Sequence, residues 1–547
     1  MRTDFIRVYK SVHTWTGIVA GLALFIAFYA GALTVFKEPL QRWSAPPAAG
    51  VEATPLAAAP ELIARTLAAH PQAAEGFSLH LVAAEHRAGR LSWDEHEPGA
   101  DDHDELAGRR MAAVLDAGGA LRSAEADGSR VAEFIDVLHR VVGLPVDRDE
   151  HRWLMGAVCV AYVLALVSGV VVLLPTLVKD FFALRLGRNL KRMWLDAHNV
   201  VGIVSLPFHL LMALTAVGFA FHDGIYALQD RVLHDGRLGA TFAPPRSGDA
   251  PAVRDPAAML APALLVEKAR ALAPGFEPTM LQYARLDGPR PTVRIWGRDA
   301  ATVSPRVPGG FAVLDPYTGR VLSTDYLPRR QTTAFTAIST VFALHFATFG
   351  GTPLQWMYFV LGLAGAWLFY SGNLLWVESR RKARRGDVPL PAQRRDVRAM
   401  AALTVGVALG CVVGISATLV AGKWLYGRVE DLTLAHQLVY YAVFFGAIAW
   451  AFVLGAARAS VHLLWAAAAA TAAIPATTLA AWALPTLGLW AHGSGAALGV
   501  DLTAAAGALV FVVMARATAR RVRAGAEDSV WSGRAAAEAA SGPAAAA

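Results

Sequence analysis

Four histidines carry the chemistry open to this sequence. His13 opens HTWTGIV, His198 opens HNVVGIV, His139 stands in VLHRVVGLP and His345 in ALHFATFGG, each beside a long apolar run. A fifth, His209, follows His198 within LDAHNVVGIVSLPFHLL, a stretch otherwise suited to lipid. An ionisable side chain in such a place is costly unless a partner or a function keeps it there. Neutral imidazole is a good axial ligand for haem iron, and two helices presenting one ring each can clamp a haem b between them. Other chemistries lack their residues: H-E-x-x-H, G-x-S-x-G, paired C-x-x-C, C-x-x-C-H and G-x-x-x-x-G-K are absent from the sequence. No G-x-G-x-x-G opens a helix after a strand either, so the chain offers no site for a nucleotide or flavin electron donor.

The elements that must position these rings are membrane helices. The chain has 547 residues, 55% of them hydrophobic and 17% charged, with mean hydropathy +0.40. That is too apolar for an ordinary soluble protein. Apolar runs near 14–36, 153–175, 199–221, 354–377, 399–421, 436–457, 461–483 and 496–515 are each long enough to cross about 30 Å of hydrocarbon. The net charge of +7 does not form one patch, which argues against a nucleic-acid partner. Basic residues cluster in RTDFIRVYK, KDFFALRLGRNLKR, ESRRKARRGD…QRRDVR and RATARRVR, which are alternate connections. The positive-inside rule places these, and with them both termini, in the cytoplasm. The polar segments near 40–150 and 222–340 then lie outside, in the periplasm of a Gram-negative cell. The first apolar run exceeds the roughly 7–15 residues of a signal-peptide core and reads as an uncleaved anchor in the inner membrane. Trp15, Trp43, Trp153 and Trp356 near span ends read as an aromatic belt in contact with lipid. Cys159 and Cys411 fall inside apolar runs and read as small buried hydrophobes.

An internal repeat orders the first 380 residues. HTWTGIV corresponds to HNVVGIV, AVLDAGGALRS (113–123) to AVLDPYTGRVLS (312–323), and LVSGVVVLLP (166–175) to FYSGNLLWVE (369–378). Helical patterns, PELIARTLAAH and ALLVEKARALA, precede the two predicted hairpins, and PTVRIWG (291–297) reads as a strand. The unit is histidine, span, α+β module, histidine, span, and two parallel copies imply a pseudo-two-fold axis along the membrane normal. By this topology His13 and His198 lie near the cytoplasmic face and His139 and His345 near the outer face, which predicts one imidazole pair per leaflet.

On a straight helix His209 would stand about 16 Å above His198 and within roughly 20° of the same face. From there it could replace His139 or His345 at the outer pair, or lie between the pairs as a packing or relay residue. Pro207 beside it predicts a kink. His222, at the outer end of the third span, is a weaker candidate, and His151, His436, His462 and His492 read as structural. The acidic WDEHEPGADDHDEL (93–106) reads first as a solvated loop and second as a collector of a hard cation such as ferric iron.

HTWTG, LHRVVG, LDAHNVVG and LHFATFGGTPLQW, with a small module in each extramembrane half, resemble the PepSY-associated transmembrane family over about residues 1–380. The resemblance implies an iron-regulated inner-membrane protein of the dihaem ferric-siderophore reductase kind. Two non-covalent haem b groups would be held by His13, His198, His139 and His345, with His209 an alternative ligand. Electrons would enter from a cytoplasmic donor or the quinone pool and reach a ferric siderophore or other ferric chelate outside. Spans five to eight look like the mark of a longer subgroup.

The expected fold is an all-α polytopic membrane protein of about eight spans with two small α+β modules. Its parts are a first span (1–43), module one (44–150), spans two and three (151–221), module two (222–345), span four with a basic loop (346–398), an appended four-span bundle (399–516) and a disordered tail (517–547). The competing class is a non-redox envelope protein whose modules bind a peptide or protease partner, or assist transport. That class has no need of histidines sorted two per face.

Overall fold

The computed structural model describes residues 3–47, 54–82, 89–95, 106, 108–126, 129–145, 152–182, 185, 190–237, 254–303, 309–384 and 390–533. Its helices, numbered along the chain, are α1 (Thr3–Thr34), α2 (Lys37–Ser44), α3 (Ala59–Ala69), α4 (Val131–Arg140), α5 (Trp153–Leu173), α6 (Leu177–Phe181), α7 (Leu190–Val204) and α8 (Leu206–Ala220). They continue with α9 (His222–Leu233), α10 (Pro262–Leu272), α11 (Thr333–Phe346), α12 (Gly351–Ser379), α13 (Arg395–Trp424), α14 (Leu432–Leu454), α15 (Ala456–Ala483) and α16 (Gly495–Ala524). The chain divides into two compact units. One holds α1, α2, α4–α8, α12 from Tyr358 onward and α13–α16; the other holds every strand with α3 and α9–α11.

Among the described residues seven helices are long and apolar enough to cross a membrane: α1, α5 with its extension through α6, α12, α13, α14, α15 and α16. The protein is therefore a multi-pass membrane protein. The α7–α8 pair passes the same test only jointly, being bent by 69°, and counts as an eighth span if the two halves cross as one. The cause of the bend is local. Pro207 lacks an N–H, and its ring crowds the carbonyl four residues back, so the helix stops at Val204 and restarts at Leu206. The straight-helix placement of His209 above His198 is thus corrected, because the two rings stand on differently directed helices.

The appended bundle packs through glycine. Gly406, Gly410 and Gly414 recur every fourth residue on α13 and face α14. A Cβ added there would lie 2.7 Å from Ile448 Cα, 3.0 Å from Ala447 Cβ and 2.9 Å from the Tyr440 ring, respectively. Small residues at this spacing let two backbones approach where water offers no driving force. The final helix also runs past the expected boundary at 516 to Ala524. Beyond it Asp528 pairs with Arg381, and Trp531 packs beside Trp376 and Val377. Polar contacts and an apolar pocket thus order a stretch that composition alone marks as tail; residues 534–547 lie outside the described residues.

Trp15, Trp153 and Trp356 are 58%, 65% and 41% exposed, as belt residues are, but Trp43 is only 1% exposed. Its place in the belt is corrected: α2 turns its indole inward against buried polar groups. His139 also changes compartment, since α4 belongs with the membrane helices rather than with the first module.

The second unit contains β1 (Gly76–His80), β2 (Leu91–Glu95), β3 (Arg109–Leu115), β4 (Leu121–Glu125), β5 (Glu277–Ala284), β6 (Thr292–Arg298), β7 (Gly310–Leu314) and β8 (Val321–Tyr326). The hairpins and module helices fall where the sequence predicts them. The two modules are not separate, however. Their meanders join in one antiparallel eight-stranded sheet, β4-β3-β2-β1-β5-β6-β7-β8. At the seam Phe77 pairs with Tyr283 and Leu79 with Leu281. Each four-stranded half alone would expose a long inner edge, and joining β1 to β5 removes both edges at once. Leu62, Leu265, Ala269, Leu79, Leu281 and Ile295 share the core between the sheet and helices α3 and α10. The acidic stretch falls largely at 96–105, outside the described residues.

Beside β6, Asp299 is 4% exposed. It accepts from Arg329 Nε at 2.5 Å and from the Ala301 amide at 2.9 Å. The bond from Arg329 holds its carboxyl below the usual aspartate range. A carboxyl depressed on folding contributes stability above its unfolded pKa of about 3.9, and that contribution is lost as pH falls through the folded value. In an acid titration followed by far-ultraviolet circular dichroism, Asp299→Asn should therefore flatten the stability loss below about pH 4. An unchanged acid limb would contradict this assignment.

Candidate functional site

Each histidine of the membrane unit ties one ring nitrogen to a neighbouring helix. His13 on α1 donates Nδ1–H to the Ala165 carbonyl on α5 at 2.8 Å. His139 on α4 donates to the Ala27 carbonyl on α1 at 2.7 Å. His198 on α7 places Nδ1 3.0 Å from Ser371 Oγ on α12. That hydroxyl donates to the Leu368 carbonyl at 2.9 Å, so its oxygen accepts from the imidazole. His209 on α8 sits with Nδ1 2.6 Å from the Tyr162 hydroxyl of α5, which itself donates to the His209 carbonyl at 3.1 Å.

For His13 and His139 the carbonyl partners commit Nδ1–H and leave the lone pair of a neutral ring on Nε2, the form in which a metal-ligating imidazole is held. For His209, Nε2 is buried without a hydrogen-bond partner. On α4, outside the spans, burial holds His139 below the ordinary imidazole value despite the opposing Ala27 carbonyl and Asp136 carboxylate.

A glycine on an adjoining helix faces every one of these rings. Cβ atoms added at Gly169, Gly31 and Gly365 would lie 2.9 Å from His13 Cε1, 2.7 Å from His139 Nδ1 and 3.1 Å from His209 Cε1. One at Gly372 would meet His198 Cε1 at 3.6 Å. The paired segments 166–175 and 369–378 are used alike. Ala165 and Leu368 precede them, Ser168 and Ser371 donate to the carbonyls of Ala165 and Leu368, and Gly169 and Gly372 clear room for the histidine.

Of the residues proposed from sequence, His13 and His198 are brought together, their ring centroids 6.5 Å apart and their planes crossed at 72°. Metal–imidazole bonds of about 2 Å on each side, plus roughly 1 Å from each nitrogen to its ring centre, sum to about 6 Å. The centroid separation of the pair is therefore that of two imidazoles sharing one iron. Among the described residues no group of three or more His, Cys, Asp or Glu could hold a bare metal ion. Two imidazoles alone suit an iron whose remaining positions a macrocycle supplies.

His209 is not paired with a second histidine. It lies 1% exposed among Phe28, Tyr162, Phe208 and Phe369, with ring centroids 5.3–6.1 Å away. His345 ends α11 in the other unit, stacked edge-on to Phe346. His222 pairs with Asp223 at 3.0 Å, and His436 is fully buried beside Ser129. Sequence reasoning missed Ser371, Gly169, Gly372 and Tyr162. The signal for the first three is the Ser-Gly doublet within the two alike span ends; Tyr162 has no counterpart in the repeat.

Fold and site together define a multi-pass membrane protein with imidazoles tethered through Nδ1 to neighbouring helices. The chain belongs to the PepSY-associated TM region family, whose profile matches residues 10–379. No curated protein matches the sequence.

The glycine distances set a sharp contrast. Gly169→Ala should cost about 1–3 kcal/mol by forcing His13 aside. Gly372→Ala, with ordinary contact distance, should be neutral or stabilising by up to about 1 kcal/mol, as alanine is in a helix. Unfolding of the two variants in detergent measures this. Equal effects would show that these glycines do not make room for the rings.

Proposed function

We propose that the chain is a dihaem b-type transmembrane oxidoreductase of the inner membrane that reduces a ferric chelate, such as a ferric siderophore, in the periplasm. The observation that carries the reading is the His13–His198 pair, two rings with Nδ1 committed and centroids 6.5 Å apart. The likeness of segments 165–175 and 368–378 supports it, because each supplies the tether of one histidine, Ala165 for His13 and Ser371 for His198.

When bound, haem supplies one-electron transfer, and two groups at different depths would connect the two faces of the bilayer. Every other task falls to the chain. His13 and His198 present Nε2 to the first iron. His139 is the ligand assigned to the second, with His209 of the same unit as the alternative ligand. Gly169 leaves room for the His13 ring, while Ala165 and Ser371 hold Nδ1 of His13 and His198. Phe28, Tyr162, Phe208 and Phe369 enclose His209 and exclude water from the middle of the bundle.

The basic connections support an orientation with both termini in the cytoplasm and the sheet-bearing unit in the periplasm. The donor is then a cytoplasmic reductant or membrane quinol, and the acceptor a chelate outside. One electron converts the bound ferric ion to ferrous, which hard oxygen ligands hold far more weakly, and the iron is released. No general acid or nucleophile is needed.

A reduced-minus-oxidised visible spectrum of purified protein, with haem quantified per chain, tests the reading. We expect b-type bands. His13→Ala and His198→Ala should remove the same haem and His139→Ala the other, and whichever of His345→Ala and His209→Ala reproduces the His139→Ala spectrum identifies the second partner. A colourless protein from haem-replete cells would overturn the redox reading in favour of an envelope protein whose sheet binds a peptide partner.

A further inference from the structure

Trp43, Lys423 and Asp501 form a buried polar cluster that the electron path does not use. Trp43 donates its indole N–H to Asp501 Oδ1 on α16 at 2.9 Å and lies 3.2 Å from Thr478 Oγ1 on α15. Thr478 donates to the same carboxylate oxygen at 3.0 Å. Lys423 of α13 places Nζ 3.7 Å above the Trp43 ring and donates to the Trp490 carbonyl at 3.1 Å. All five residues are less than a tenth exposed. A carboxylate and an ammonium inside lipid-spanning helices are costly, and packed apolar residues would make as stable a bundle. Their retention therefore calls for a role.

Trp43 belongs to α2, and the other end of α2 grips the helix that carries His139. Lys37 Nζ reaches Asp136 of α4 at 2.9 Å, and Gln41 donates to Glu133 of α4. Asp136 stands one turn before His139 on α4. On its other side α4 meets the appended bundle through Phe134 against Tyr440, centroids 5.5 Å apart, and Ser129 against His436 at 3.3 Å.

We infer that α2 is a strap through which Asp501 and Trp43 act as positioning residues for His139 and thereby for the second haem. This rests on the haem reading above. The appended spans then serve as the anchor that sets where the His139 helix lies, through an indole N–H locked to a buried carboxylate.

The test uses full-length protein in detergent, with redox titration of each haem and haem quantified per chain. Trp43→Phe keeps an aromatic ring but loses the N–H together with part of the indole's bulk; Asp501→Leu removes the acceptor; Asp501→Asn keeps an oxygen acceptor for both Trp43 and Thr478. Trp43→Phe and Asp501→Leu should shift the potential of the His139-dependent haem alone, or release it so that haem per chain falls from about two toward one. Asp501→Asn should retain both haems. If Asp501→Leu fails to accumulate, Trp43→Phe decides the question. Wild-type potentials for both haems in Trp43→Phe would overturn the strap, as would equal shifts at both haems with a lowered unfolding temperature. Absence of haem from the wild-type protein would instead overturn the functional reading, and the strap with it.

Discussion

An imidazole inside a lipid-spanning bundle must satisfy its N–H without water, and this requirement organises the membrane unit. His13 and His139 meet it with helix carbonyls, His198 with a serine hydroxyl and His209 with a tyrosine. Each bond fixes the ring and ties two helices together: α1 to α5, α4 to α1, α7 to α12 and α8 to α5. None of the four engages Nε2. Helix tethering and ring orientation thus come from one device, and Gly31, Gly169 and Gly365 supply the room that it needs.

The rest of the membrane unit reads as support for that arrangement. The glycine stripe of α13 draws α14 close, placing Tyr440 and His436 against α4. From the first span α2 turns back and bonds to α4 at Lys37 and Gln41 while burying Trp43 among α13, α15 and α16. The His139 helix, only ten residues long, is too short to hold its place by its own hydrogen bonds. Contacts on two sides do so instead.

What the sequence disclosed, and what it concealed, follows from the range of each interaction. Most apolar runs and the hairpins at 113–123 and 312–323 are local patterns, and they stand where they were expected. The joining of two modules into one sheet depends on pairing β1 with β5, partners about 200 residues apart in sequence, and no local pattern carries it. Trp43 looked like a belt residue because its neighbours in sequence are interfacial; its bond to Asp501 is a tertiary fact. Pro207 announced a kink, yet a proline alone gives no angle, and the 69° bend removed the straight-helix relation between His198 and His209. The tethers were half visible: the Ser-Gly doublets recur, but their meaning needed the histidine opposite them.

The central claim is that His13 and His198 ligate one iron, and low-temperature electron paramagnetic resonance of the oxidised protein tests it most directly. Imidazole planes crossed at 72° predict the strongly anisotropic low-spin ferric signal of non-parallel axial ligands. That signal should vanish equally in His13→Ala and His198→Ala while the signal of the second haem persists. A signal unchanged in both variants, or no low-spin ferric signal in haem-replete protein, would contradict the account.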